Sequence, residues 1–251
     1  YFGVGTSEPK IREFLVNMGV QISKGEVSDL LIQKQETFHA ESEAVYEAGL
    51  RSSPWQQSDH TETRVNGERR HCQVVCNPVY TSYHTRPKVD RLTALDVLRQ
   101  GRKRIFLLNE EAFGYLENVA LSKAAQAVLP KWQSDKVWEE AAFMKRLEKA
   151  LPNLNTQQHT AILGAAAVAA YHAEKDVPIV DTLVCDDASV FHWLTRAMML
   201  CWVHDGRAYK KLEPVIALHR QQLADFRKRY WDYYHQLLAY REKPTAEECK
   251  R

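Results

Sequence analysis

Three successive strand-like runs punctuated by turn residues follow Pro54, and they set the frame for the rest of the chain. Trp55 to Val65 reads as a strand, Asn66-Gly67 as a tight hairpin turn, and Arg69 to Cys76 as its antiparallel partner. Asn77-Pro78 breaks the run, and Val79 to Thr85 alternates as a third strand. Asp90 then caps a helix that turns Leu92, Leu95 and Leu98 inward and is closed by Gly101. Ile105 to Leu108 is a short apolar run that fits either a strand or the entry to a helix.

Helical spacing dominates on either side. In residues 1–50, Ser7 and Pro9 mark a helix start, with Ile11, Phe14, Leu15 and Met18 on one face and Gly19 at its end. Ser23 and Glu26 form a capping box for a second helix, which carries Val27, Leu30 and Leu31 inward and runs on towards Tyr46. Residues 109–177 read as all helical. Asn109 caps one segment ended by Pro130, and Ser134 caps a second that carries Val137, Trp138, Ala141 and Met144, the Trp and Met as core. Asn155 or Thr156 starts a third, whose GAAAVAA centre implies close helix packing.

Residues 178–251 hold the stretch around which the reading turns, Thr182 to His204. A strand, Thr182 to Cys185, ends on Asp186 and Asp187. An amphipathic helix of about a dozen residues follows, then a second strand, Leu200 to Val203, that ends on His204 and Asp205. A further helix starts near Pro214 and reaches about Glu242, with packing the favoured role for its aromatics. The chain therefore divides into 1–50, 51–108, 109–177 and 178–251.

Composition narrows the class without naming it. The net charge of +2 says little about nucleic acid, but basic residues cluster at Arg69–Arg70, at Arg86, Lys88 and Arg91, at Arg99 to Arg104, and at Arg227 to Arg229. Such clusters are either solvated surface or phosphate-tracking patches. Five cysteines, with no signal peptide and no run of about 18 apolar residues, fit reduced thiols in a cytoplasmic protein with no membrane partner. Cys72 and Cys76 beside His71 do not make a zinc site, because four residues of strand span about 13 Å.

The candidate chemistry is carboxylate chemistry. Three antiparallel strands, a helix and a later strand ending in Asp is the order of an RNase H-like sheet, in which the first strand's acid lies beside the acid ending the fourth. Two carboxylates that close repel unless a cation lies between them, and Mg2+ (or Mn2+) suits hard oxygen ligands. Each acid also has a plainer reading: Asp59 on a solvated strand edge, Asp186 and Asp187 as helix caps. Helix, Gly-containing turn and capped helix at the N-terminus match a helix-turn-helix, with Lys24, Ser28, Gln33 and Lys34 as exposed DNA-contact candidates.

Three segments together resemble the DDE-type transposases of bacterial insertion sequences, in the insertion-sequence-sixty-six group. SDHTETRVNGE is similar to their first-acid segment, LVCDDASVF to their second-acid strand, and CWVHDGRAYKKL to their Cys-Trp-x-His segment. The resemblance implies an RNase H-like mixed sheet interrupted by a helical insertion at 109–177. It implies metal-dependent DNA cleavage and strand transfer, with Asp59 and Asp186 as catalytic, metal-holding acids. His204, Arg207 and Lys210 would neutralise phosphate. The implied partners are transposon ends and target DNA, bound by a homo-oligomer, in the bacterial cytoplasm with the nucleoid. The family's third acid, a Glu in an Asn-rich segment, has no counterpart before Arg251. The expectation is therefore a piece of a longer protein, weak or inactive alone. Ala208 stands where the family has a basic residue. Two other readings remain open: a non-catalytic DNA-binding or interaction protein, and an RNase H-like nuclease without strand transfer.

Overall fold

A computed structural model describes residues 6–33, 35–247 and 249. The chain forms two compact units, Tyr1–Tyr46 and Glu47–Arg251. In the first, helix α1 (Glu8–Asn17) starts after Ser7 with a proline in its first turn and stops before Gly19, whose φ of 86° suits a residue without Cβ. The turn that follows is clamped by Arg12, whose Nε donates to the Ile22 carbonyl at 2.9 Å. Helix α2 (Lys24–Ile32) opens on a complete capping box. The Ser23 hydroxyl accepts from the Glu26 N–H at 3.1 Å, and the Glu26 carboxylate accepts from the Ser23 N–H at 2.7 Å.

The expected single helix towards Tyr46 is in fact two. α2 ends at Ile32, and α3 (Glu36–Arg51) begins afresh and crosses into the second unit. Gln35 helps to end α2 by donating its side-chain amide to the Leu31 carbonyl at 2.6 Å, satisfying a terminal acceptor that a continuing backbone would have used. Of the residues expected to face inward, Val27 is buried, whereas Phe14, Met18 and Leu30 are exposed.

The second unit is built on a five-stranded mixed sheet. Strands β1 (Trp55–Val65), β2 (Glu68–Asn77) and β3 (Tyr80–Arg86) form an antiparallel meander. Asn66 and Gly67 both take positive φ (52° and 80°), as a two-residue hairpin turn of this hand requires. Asp90 caps α4 (Arg91–Leu98) through the Thr93 N–H. A short strand, β4 (Ile105–Phe106), leads to α5 (Glu110–Leu116, capped by Asn109) and α6 (Lys123–Val128). After a 3-10 turn come β5 (Trp138–Glu139), α7 (Glu140–Ala150) and α8 (Thr156–Ala173). Next are β6 (Thr182–Cys185), β7 (Ala197–Leu200), α9 (Trp202–Lys210) and α10 (Ala217–Glu242). The sheet order is β3-β2-β1-β6-β7, with β6 parallel to β1 and β7 parallel to β6. The protein is thus a mixed α/β fold.

The 109–177 block is not all helical. β5 pairs antiparallel with β4, and Ser134 caps no helix. The helix begins at Glu140 and buries Phe143 and Leu147 instead of Val137 and Ala141, which are exposed. Trp138 is half-buried under the cations of Lys136 (4.2 Å) and Arg146 (4.7 Å), a surface role that the helical reading missed. α8, by contrast, is buried all round from Ile162 to Tyr171, as its small side chains imply. Its end is fixed by a buried pair in which the Arg99 guanidinium gives two bonds of 2.7 Å to the Glu174 carboxylate.

The largest correction falls between β6 and β7. The predicted amphipathic helix is absent, and residues 186–196 are a succession of turns. Side chains supply the bonds that a helix would have made internally. Arg91 donates to the carbonyls of Ser189 and His192, both at 2.8 Å, and His172 Nε2 lies 3.1 Å from the Leu194 carbonyl. The second strand accordingly comes early, at Ala197–Leu200, and Trp202 opens a helix instead of sitting in the predicted 200–203 strand. Among the described residues no helix is long and apolar enough to cross a membrane.

Candidate functional site

The parallel pairing of β1 with β6 sets Trp55 against Thr182 and Gln57 against Val184. The pairing ends there, with Asp59 two residues further along β1 and Asp186 two residues beyond Val184, just past the end of β6. Asp59 is half-buried, and its Oδ1 accepts from the His60 N–H at 2.7 Å. Asp186 has just left the strand and accepts from the Ala188 N–H at 3.3 Å. Asp187 caps no helix; it is exposed and faces His192 at 3.0 Å. Cys185 ends β6 immediately before Asp186. Its thiol is pushed up to about 12 by burial first, and then by the negative charge of Asp186 and Asp187, of Cys201 and of Asp59.

α9 brings a third group to this place. His204 Nε2 stands 3.6 Å from Asp59 Oδ2, and Arg207 Nη1 stands 3.4 Å from the same nitrogen. His204 Nδ1 is buried and has no hydrogen-bond partner among the described residues. Three-residue steps along the helix put His204, Arg207 and Lys210 on one side, with Arg207 and Lys210 exposed. The other side is held by α10. A Cβ on Gly206 would come within 2.4 Å of the Trp231 ring, and Tyr230 donates to the Trp202 carbonyl at 2.8 Å. Trp202 and Tyr209 pack edge-on or tilted against Tyr230, so the aromatic run of α10 is a packing surface that aims α9 at the sheet.

Among the described residues no group of three or more His, Cys, Asp or Glu side chains is placed to hold a metal ion. Asp59 and Asp186 nevertheless present the donor type that Mg2+ or Mn2+ takes. Mg2+ is commonly held by one or two carboxylates, with water and substrate phosphate filling its other positions. The residues present therefore fit an open two-carboxylate site.

The remaining candidates lie elsewhere. Lys24 is exposed on the first turn of α2, Ser28 is half-buried on the same helix, Gln33 is its exposed C-cap, and Lys34 lies outside the described residues. In the Arg99 to Arg104 cluster, Arg102 and Lys103 are exposed while the two arginines at its ends are paired. Arg99 is buried against Glu174, and Arg104 is bound to Asp96 at 2.7 Å and to Glu140 at 3.3 Å. Arg69 is paired with Glu62, and Arg70 with Glu68. Sequence reasoning missed the role of Arg91, whose signal is only its position after a capping Asp. Comparison of the chain with protein-family models, with curated proteins and with solved structures finds no match.

Proposed function

We propose that the sheet carries a metal-dependent phosphodiester site of the RNase H-like kind, and that the chain is part of a DNA transposase that cleaves and joins strands at transposon ends. The observation that carries this reading is the parallel pairing of β1 with β6, which runs to Gln57 and Val184, two residues short of Asp59 and of Asp186 respectively. The sheet order β3-β2-β1-β6-β7, with its first three strands antiparallel and its last two parallel to the first, supports it as well.

In this reading Asp59 and Asp186 hold Mg2+ or Mn2+, which supplies charge stabilisation at the phosphodiester and a nucleophilic oxygen at neutral pH. The chain's own residues orient what surrounds it. The hydrogen bond from the His60 N–H fixes one Asp59 oxygen and leaves the other towards His204. Arg207 and Lys210, exposed on the same side of α9, neutralise the DNA backbone.

The test is calorimetric titration of the chain with Mn2+ and with Mg2+, beside Asp59→Ala and Asp186→Ala. Weak binding that either substitution abolishes is expected. Binding that is the same in all three proteins overturns the reading.

A further inference from the structure

On the opposite face of the sheet from Asp59, side chains of β1, β2 and β3 come together with α4 around a small cavity. His60, His71 and Arg86 line a small pocket there with Lys88, closed on one side by Phe191 and at the rim by Asp90. The pocket is narrow, with room for about one water molecule. His71 and Arg86 are direct cross-strand partners, with Glu62 opposite His71 on its other side. Arg86 Nε is buried and has no hydrogen-bond partner among the described residues. A buried guanidinium N–H left without an acceptor is unfavourable, so the position calls for one. The Asp90 carboxylate lines the same pocket and accepts from the Thr93 N–H at 2.8 Å, but makes no hydrogen bond to Arg86 Nε.

We infer that this pocket binds a tetrahedral oxyanion, a phosphate group. One oxygen enters the floor against Arg86 Nε, and the others stand in the mouth within reach of Lys88 and the two imidazoles. The recognised chemistry is the same for free phosphate and for a backbone phosphate of nucleic acid. The inference stands on the β2–β3 side of the sheet and does not depend on the carboxylate site.

The test uses the whole chain, with inorganic phosphate and a short DNA duplex as probes. Phosphate is expected to raise the melting temperature in a saturable way. Lys88→Gln, at an exposed position that leaves the fold intact, and Arg86→Lys, which keeps the charge but removes the Nε donor, should each weaken phosphate binding roughly tenfold. If the natural source is nucleic acid, both variants also weaken the duplex and lower the salt dependence of its binding, and phosphate competes with it. If the source is free phosphate, duplex binding is unchanged while phosphate binding falls. A melting temperature indifferent to phosphate, or phosphate binding unchanged in both variants, overturns the inference.

Discussion

The guanidinium of Arg91 lies 4.1 Å above the ring centre of Trp193, and the same group donates to the carbonyls of Ser189 and His192. One side chain thereby ties together the middle of the turn segment that follows Asp186, from Ser189 to Trp193. Trp193 sits at φ 73°, a left-handed conformation that costs a residue with Cβ about 1–2 kcal/mol, and it is also stacked on Tyr115 at 5.4 Å. Gly164 makes room, since a Cβ there would meet Arg91 Nη1 at 3.1 Å.

Arg91→Ala should therefore cost about 2–4 kcal/mol in urea unfolding, because two carbonyls lose a charged donor and the indole loses its cation. Arg91→Lys should recover less than half, lacking the planar fork that reaches both carbonyls. Amide exchange across 186–196 should quicken in both variants. A segment whose exchange stays at the wild-type rate would mean that its turns are held by something other than Arg91.

That segment also marks where sequence reasoning stopped working. The three-stranded meander, its Asn-Gly turn, the caps at Ser23, Asp90, Asn109 and Asn155 and the bounds of β6 were legible, because each rests on chemistry a few residues long. The 186–196 turns were not. What decides them is a donor about a hundred residues away in the chain, against a local pattern that favours helix. Trp138 misled for the same reason, its covering cations making a half-buried surface residue look like core. Asp59 reads as an acid inside a strand and Asp186 as one that ends a strand, and both strands form, paired in parallel from Trp55–Thr182 to Gln57–Val184. The approach of His204 needed the α9–α10 packing, which no local pattern encodes.

His84 gives the fold an acid limit. Burial first, and then the nearby Arg86 charge, lower its imidazole from 6.5 to about 4, while Ser82 Oγ lies 3.0 Å from Nε2. The unfolded chain binds a proton between pH 6.5 and 4 that the folded chain refuses. This contribution to stability is therefore whole above about pH 6.5 and is lost as the pH falls to about 4. Since the ring is partly exposed, the loss is about 1–2 kcal/mol after screening. Urea midpoints measured from pH 7 to pH 4 should fall more steeply for the wild type than for His84→Gln. Parallel curves would show that His84 protonates freely in the folded state.

Cys185 can report on the carboxylates beside it. Its thiol is raised to about 12 by burial and then by Asp186, Asp187, Cys201 and Asp59, so it stays protonated and inert near neutral pH, whereas Cys249 is exposed. Alkylation mapped by mass spectrometry should label Cys249 first and Cys185 last. Asp186→Asn removes one neighbouring charge and should speed labelling of Cys185 by several-fold, since each unit of pKa is tenfold in thiolate. A cation held by Asp59 and Asp186 offsets the same charge. Mn2+ should therefore accelerate labelling in the wild type and leave Asp59→Asn/Asp186→Asn unaffected. If Mn2+ changes neither protein while Asp186→Asn still speeds labelling, the carboxylates neighbour the thiol but hold no metal.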